Sequence, residues 1–86
     1  MKALEQFSEY FSGYIEDQEV VLYYADTREL AHTYEFEMEE EANTFYQLCL
    51  RVGEMVEEVP ENKRASAHQV FINESLKNVN YKATTY

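Results

Sequence analysis

The stretch "TYEFEMEEEANTFYQLCLRV", residues 33 to 52, changes character halfway along. Its first half alternates apolar and polar residues with the period of two that a half-buried strand requires. Its second half carries apolar residues at intervals of four and three, the period of a helix lying on a core. A chain that switches from one rule to the other within a few residues folds as a strand running into a helix. At the join stand five glutamates: Glu35, Glu37, Glu39, Glu40 and Glu41.

Working forward from the join, Met38, Ala42, Phe45, Cys49, Val52, Met55 or Val56, and Val59 form the apolar stripe, and Leu48 widens it. About five helical turns are predicted, ended by Pro60, which cannot continue an interior hydrogen-bond ladder. Working backward, "LAHTYEFE" (30–37) places Leu30, His32, Tyr34 and Phe36 on one side, with Ala31, Thr33, Glu35 and Glu37 on the other. The preceding "EVVLYYA" (19–25) is β-branched and aromatic without a helical period, as a strand would be. The intervening "DTRE" supplies turn chemistry through Asp26, so the pair reads as an antiparallel hairpin.

The two ends are less directly specified. "ALEQFSEYFSGYIED" (3–17) sets Leu4, Phe7, Phe11, Tyr14 and Ile15 at helical intervals and predicts a short N-terminal helix, with Gly13 weakening or ending it. For residues 66–86 the reading leans to strands, because "QVFIN" and "NVNYKATTY" carry strand formers and Val79, Tyr81, Ala83 and Thr85 alternate with polar residues. A helix started by Ser66 and Gln69, with Phe71, Ile72, Leu76 and Val79 on one face, is the alternative. The expected architecture is α+β within a single domain, residues 1–86: an N-terminal helix, a hairpin, and a long amphipathic helix packed on a small antiparallel sheet. A chain of this size hides only about 60–65% of its unfolded surface, which makes for a modest core.

Charge is the strongest compositional signal. The 86 residues carry a net charge of −10, and residues 1–61 hold sixteen of the seventeen acids against Lys2, Arg28 and Arg51 only, a net of −13. Residues 62–86 set Glu74 against Lys63, Arg64, Lys77 and Lys82, a net of +3. Such a field repels nucleic acid and anionic membranes and steers the chain toward basic proteins, most strongly at low salt. Hydrophobic content of 45% with eight Tyr and five Phe is that of a folded chain.

Catalytic chemistry finds no support. The two glycines stand apart, so no glycine-rich loop can cradle a phosphate, and His32 and His68 lack metal-ligand spacing. No serine has a nucleophile context, and neither a cofactor nor a metal is expected; the chain reads as a non-enzyme. Cys49, alone and on the apolar stripe, reads as a buried small hydrophobe in a reducing compartment. Glu5 and Glu9 interrupt any leader-like segment, and the longest apolar run, Val20–Ala25, is far too short for a bilayer, so a cytoplasmic location is expected. His32 reads as a half-buried structural histidine.

The glutamates divide into two groups. Glu39, Glu40 and Glu41 sit in a first helical turn, where the macrodipole stabilises each by about 0.3–1 kcal/mol. Glu35 and Glu37 gain nothing from that term, and Glu54, Glu57, Glu58 and Glu61 stand at the negative end where carboxylates are disfavoured. Along one strand, carboxylates at i and i+2 are about 6.7 Å apart, against a phosphate per 3.4 Å of axis on each DNA strand, so a single row is too sparse for strict DNA mimicry.

In "YEFEMEEEANTFY" (34–46), in "GEMVEEVPE" (53–61) and in its surplus of Tyr, the chain resembles the small acidic inhibitors that bacteriophages and mobile elements encode, anti-CRISPR and anti-restriction proteins among them. The resemblance is compositional and covers the first two-thirds; the basic stretch from "NKRASAHQ" onward departs from it. It implies occupation of a nucleic-acid-handling surface on a nuclease or CRISPR effector in a bacterial host. Glu35, Glu37, Glu39, Glu40 and Glu41 would meet Lys and Arg there, Glu54, Glu57 and Glu58 would form a second patch, and Tyr34 and Tyr46 would act as aromatic anchors. Two other expectations compete: a self-associating scaffold or homodimer, and an antitoxin or immunity protein directed at a basic toxin.

Overall fold

The computed structural model describes residues 3–86; Lys2, counted in the charge above, lies outside them. The fold is α+β: one five-stranded antiparallel sheet and two helices. The strands are β1 (Glu5–Gln6), β2 (Phe11–Glu16), β3 (Glu19–Tyr24), β4 (Leu30–Phe36) and β5 (Tyr81–Thr85), adjacent in chain order. Helices α1 (Glu39–Val56) and α2 (Arg64–Ser75) are inserted between β4 and β5, with a 3-10 turn, Glu61–Lys63, leading into α2. Because the helices line only one face of the sheet, the molecule is two layers thick, 20 Å in its shortest dimension.

The hairpin and the long helix form where the periodicities place them, except that Met38, expected as the first residue of the apolar stripe, is the N-cap of α1 and is exposed. β3 pairs with β4 from Glu19↔Glu35 to Tyr23↔Leu30, with a bulge that leaves Ala31 as the extra residue between Leu22↔His32 and Tyr23↔Leu30. In the connecting turn Asp26 Oδ1 accepts the amide of Thr27 at 2.7 Å, and Arg28 adopts a φ of 62°. On α1, Ala42, Phe45, Cys49, Val52 and Val56 are buried, joined by Tyr46. Of the two candidates for the sixth stripe position, Val56 faces the core and Met55 is exposed. The helix stops four residues short of Pro60.

The N-terminal helix does not form: residues 5–6 and 11–16 are strands instead. Phe7 and Phe11, four apart, flank a tight turn in which the amides of Phe7 and Ser8 both donate to the carbonyl of Phe11 (3.0 and 3.2 Å). Ser8 Oγ accepts from the amides of Tyr10 and Phe11. Residues 11–16 pair along their whole length with β3, from Phe11↔Tyr24 to Glu16↔Glu19, through a two-residue turn whose first residue, Asp17, has a φ of 53°. Long-range pairing with the most β-prone segment of the chain outweighs a weak local helical period.

The C-terminal leaning toward strands is half corrected. Residues 64–75, including "QVFIN", are helical, because His68, Ile72 and Leu76 recur every four residues and all three are buried. Ser66 lies inside α2; the N-cap is Lys63, without a side-chain capping bond. Asn78 (φ 64°) turns the chain, and β5 then pairs with β4 from Phe36↔Tyr81 to His32↔Thr85.

The core lies between the sheet and the helices. Phe11, Val20, Leu22, Tyr34 and Phe36 from the sheet meet Ala42, Phe45, Tyr46, Cys49, Ile72 and Leu76 from the helices, with Phe7 closing one end. Both glycines serve Phe7: a Cβ on Gly13 would meet the carbonyl of Val21 and the Phe7 ring, and one on Gly53 would meet the Phe7 carbonyl.

Candidate protein-binding surface

Alternation fixes what the uncovered face of the sheet presents. With Phe11, Val20, Leu22, Tyr34 and Phe36 turned to the helices, their neighbours Ser12, Tyr14, Glu16, Glu19, Val21, Tyr23, Thr33 and Glu35 point outward. On β5, Lys82 and Thr84 pair with Glu35 and Thr33 and share that face. Rows therefore run across the strands. One row reads Glu16, Glu19, Glu35, Lys82, and the next reads Tyr14, Val21, Thr33, Thr84. Neighbouring strands are about 4.8 Å apart, so the carboxylates of the first row are spaced more closely than any i, i+2 pair along one strand.

The Tyr14 and Tyr23 rings lie 6.3 Å apart across β2 and β3, and Val21, opposite Tyr14, is only 3% exposed despite lying on the outer face. The Tyr14 phenol is raised above its ordinary pKa, chiefly by burial, then by the charge of and hydrogen bond to Tyr23. Half-buried tyrosines beside a charged row combine apolar area with a polar tip, the combination favoured at interfaces.

The acidic row continues around one end of the molecule. The amide of Phe36 donates to the carbonyl of Gln18 (2.9 Å), and Gln18 Nε2 donates to the carbonyl of Glu37 (2.9 Å), which ties the β2–β3 turn to the entry of α1. Glu16, Asp17 and Glu19 thereby join Glu35, Glu37, Glu39, Glu40 and Glu41. All are exposed except Glu41, which is half-buried. Glu37 also accepts from Asn80 Nδ2 at 3.5 Å. Glu16, Asp17 and Glu19 were absent from the sequence reading of the surface. Their signal was the two-residue gap between "FSGYIE" and "EVVLYY", legible only once residues 11–16 are taken as a strand.

The two tyrosines expected as anchors are not available. Tyr34 and Tyr46 are each 4% exposed. Tyr34 packs on Phe45 (4.9 Å between ring centres), and Tyr46 meets Phe7 edge-on (5.5 Å) while its hydroxyl donates to Glu5 Oε1 at 2.7 Å. Burial, then that hydrogen bond, raises the Tyr46 phenol far above its ordinary range. Tyr34 lies on the inner face of β4, and Tyr46 broadens the inner face of α1. Both are structural.

Glu54, Glu57 and Glu58 are exposed but stand at the far end of α1, about 22 Å from Glu39 at 1.5 Å per residue. The helix's negative end is compensated by Arg64, whose Nε donates to the carbonyl of Val59 (2.9 Å) and whose second guanidinium nitrogen donates to that of Glu57 (3.1 Å). Arg64 also approaches Glu9 at 3.9 Å. The acids singled out in the sequence thus form two separate patches, of which the one at the start of α1 is denser.

The remaining singled-out side chains are structural. Cys49 is fully buried, and burial pushes its thiol up to about 12. His32 is half-buried, its pKa lowered by burial, and its Nδ1 lies 3.2 Å from Thr85 Oγ1, linking β4 to β5. Among the described residues no three His, Cys, Asp or Glu side chains are grouped as metal ligands would be, and no helix is long and apolar enough to cross a membrane. The chain matches no family model, no curated protein and no solved structure.

Proposed function

We propose that the protein is a non-catalytic inhibitor that uses the open face of its sheet and the adjoining acidic end to occupy a basic surface, one on which a nuclease, a CRISPR effector or a similar protein handles nucleic acid. The observation that carries this reading is the row Glu16, Glu19, Glu35, in which carboxylates stand opposite one another on adjacent strands. Like charges in that position destabilise a sheet. Solubility is served equally well by alternating charges, as Glu35 and Lys82 show on the next pair of strands. A basic partner turns the unfavourable row into a favourable one, and Tyr14 and Tyr23 beside it supply the apolar part of the contact.

The test is capture from lysate of a prospective host, with identification of what is bound. A basic nucleic-acid-handling protein, displaced by high salt and by duplex DNA, is expected with the native chain. It is lost with Glu19→Lys and Glu40→Lys together and retained with Glu57→Lys and Glu58→Lys together. Equal capture by both variants, or capture indifferent to DNA, refutes the reading.

Self-association is favoured by a different observation. β5 is one of the two edge strands of the sheet and the longer of them, and all five of its residues are exposed. An unprotected edge offers unpaired amides and carbonyls to a second chain. A solution mass that stays monomeric at all concentrations refutes this second reading.

A further inference from the structure

At the opposite end of β3 from Glu19, a groove runs between the β2–β3 pair and the start of α2. Its walls are the rings of Tyr10, Phe11 and Tyr24, its rim carries Glu9, Asp26 and Glu61, and its volume is about 450 Å³. On the α2 side it is closed by Ala65, a residue with no side chain long enough to fill it.

The walls are held by the fold. The Phe11 ring is fixed from inside by His68 (4.6 Å between centres) and from the side by Tyr24 (5.6 Å, 33° between planes). The amide of Ala25 donates to the carbonyl of Tyr10 at 2.8 Å, setting Tyr10 beside the Tyr24–Asp26 corner. Asp26 is oriented by the Thr27 amide. Arg64, which is engaged by the carbonyls of Val59 and Glu57 and approaches the rim carboxylate Glu9 at 3.9 Å, does not itself line the groove. The local field is negative: Tyr10 is raised above its ordinary pKa by partial burial first, then by its hydrogen bond to Glu9 and the charges of Glu9 and Glu61, with Arg64 opposing.

Aromatic faces present negative quadrupoles, and carboxylates around them add full charge, so the complementary guest is a cation with an apolar stem. We propose that this groove receives a lysine side chain of a basic partner protein, the four-carbon stem lying along Phe11 and Tyr24 and the ammonium directed to Asp26, Glu9 and Glu61. Charge complementarity selects this occupant: a neutral apolar side chain would leave Asp26 and Glu61 without a counter-charge among the described residues, Glu9 having only Arg64 at 3.9 Å, and an acidic one would be repelled. The site is separate from the Glu16–Glu19–Glu35 row by the length of β3, so it stands or falls independently of the function proposed above.

The test is an NMR titration of the full chain with Nα-acetyl-lysine methylamide, its neutral isostere Nα-acetyl-norleucine methylamide, and the arginine analogue. The lysine probe is expected to shift Tyr10, Tyr24 and Ala65 saturably in the millimolar range, at least fivefold more tightly than the norleucine probe. Asp26→Asn, which keeps the oxygen that accepts the Thr27 amide, is expected to weaken the lysine probe at least threefold while leaving the spectrum of the free protein otherwise unchanged. Tyr24→Leu is expected to weaken it further. Equal affinity for norleucine would show an apolar dent and overturn the proposal. Shifts confined to Glu19 and Glu35 would also overturn it, as would tighter binding of the arginine probe.

Discussion

Glu19 on β3 stands directly opposite Glu35 on β4, and on its other side it stands opposite Glu16 on β2. Directly opposed like charges weaken a sheet, and opposite charges in the same positions contribute about 0.2–1 kcal/mol per pair. Glu19→Lys converts both pairs at once. The isolated protein is therefore expected to gain about 0.5–1 kcal/mol, read as a higher urea midpoint at low ionic strength, with most of the gain gone at 1 M salt. The same substitution opposes binding to a basic partner. Greater stability together with weaker binding is the signature of a row maintained for contact; a variant less stable than the native chain would show that the glutamates do not repel as their placement requires.

Gly53 lies on α1 against the backbone of Phe7. In an exposed helix interior, Gly→Ala stabilises by about 1 kcal/mol. Here the added methyl would run into the Phe7 carbonyl, and overpacking of this kind costs about 1–3 kcal/mol. Gly53→Ala is expected to lower stability in urea denaturation by about 1–2 kcal/mol, the opposite of the propensity rule. A stabilised variant would mean that the turn holding Phe7 yields readily.

These two sites show how far the sequence carries the fold. The hairpin of β3 and β4 and the helix α1 were legible because each is announced by its own local period, and Asp26 marks the turn between the strands. Residues 3–17 misled because Phe7, Phe11, Tyr14 and Ile15 satisfy a helical spacing, whereas the decisive interaction, Phe11–Glu16 lying along β3, is made between segments. The face of α2 was half legible: Ile72 and Leu76 were in view, but the buried residue one turn earlier is His68, which polarity hides from a hydrophobic pattern. At the candidate surface, alternation correctly separates Glu35 from Tyr34, but alternation alone does not say which side of a strand the helices will cover. Tyr34 was read as a contact residue because the acidic, tyrosine-rich composition was weighed above the alternation that sets it with Phe36, and Tyr14 was passed over because residues 3–17 were read as a helix.

Arg64 joins the end of α1 to the start of α2 by donating to the carbonyls of Val59 and Glu57. Charge-assisted bonds to terminal carbonyls, in a region carrying Glu54, Glu57, Glu58 and Glu61, make it the main counter to the negative end of the helix. Arg64→Met keeps much of the stem and removes the fork. A loss of about 1–2 kcal/mol in thermal denaturation is expected, only partly restored by Lys, whose single ammonium does not span two carbonyls as the planar guanidinium does. Full rescue by Lys would reduce the role of Arg64 to charge alone.

His68 is fully buried and packed on Phe11, and among the described residues neither of its ring nitrogens has a hydrogen-bond partner. Burial lowers its pKa from the ordinary 6.5 to about 4. Between those values the unfolded chain holds a proton that the folded one does not, so stability rises with pH through this window. It falls as pH drops from about 6.5 to about 4 and levels off below, where both states are protonated. The full loss is on the order of 3 kcal/mol, taking 1.36 kcal/mol per pH unit of displacement. Easing of the repulsion among the surface acids acts in the opposite direction, so the native curve alone is composite. His68→Leu isolates the histidine: it removes two unsatisfied buried nitrogens at similar volume, so at pH 7.5 it is expected to be neutral or modestly stabilising. Its advantage over the native chain should then grow steadily as pH is lowered from 6.5 to 4.5. Urea denaturation of both chains across that range decides the matter, because a difference that stays constant with pH would mean that His68 titrates alike in the folded and unfolded states.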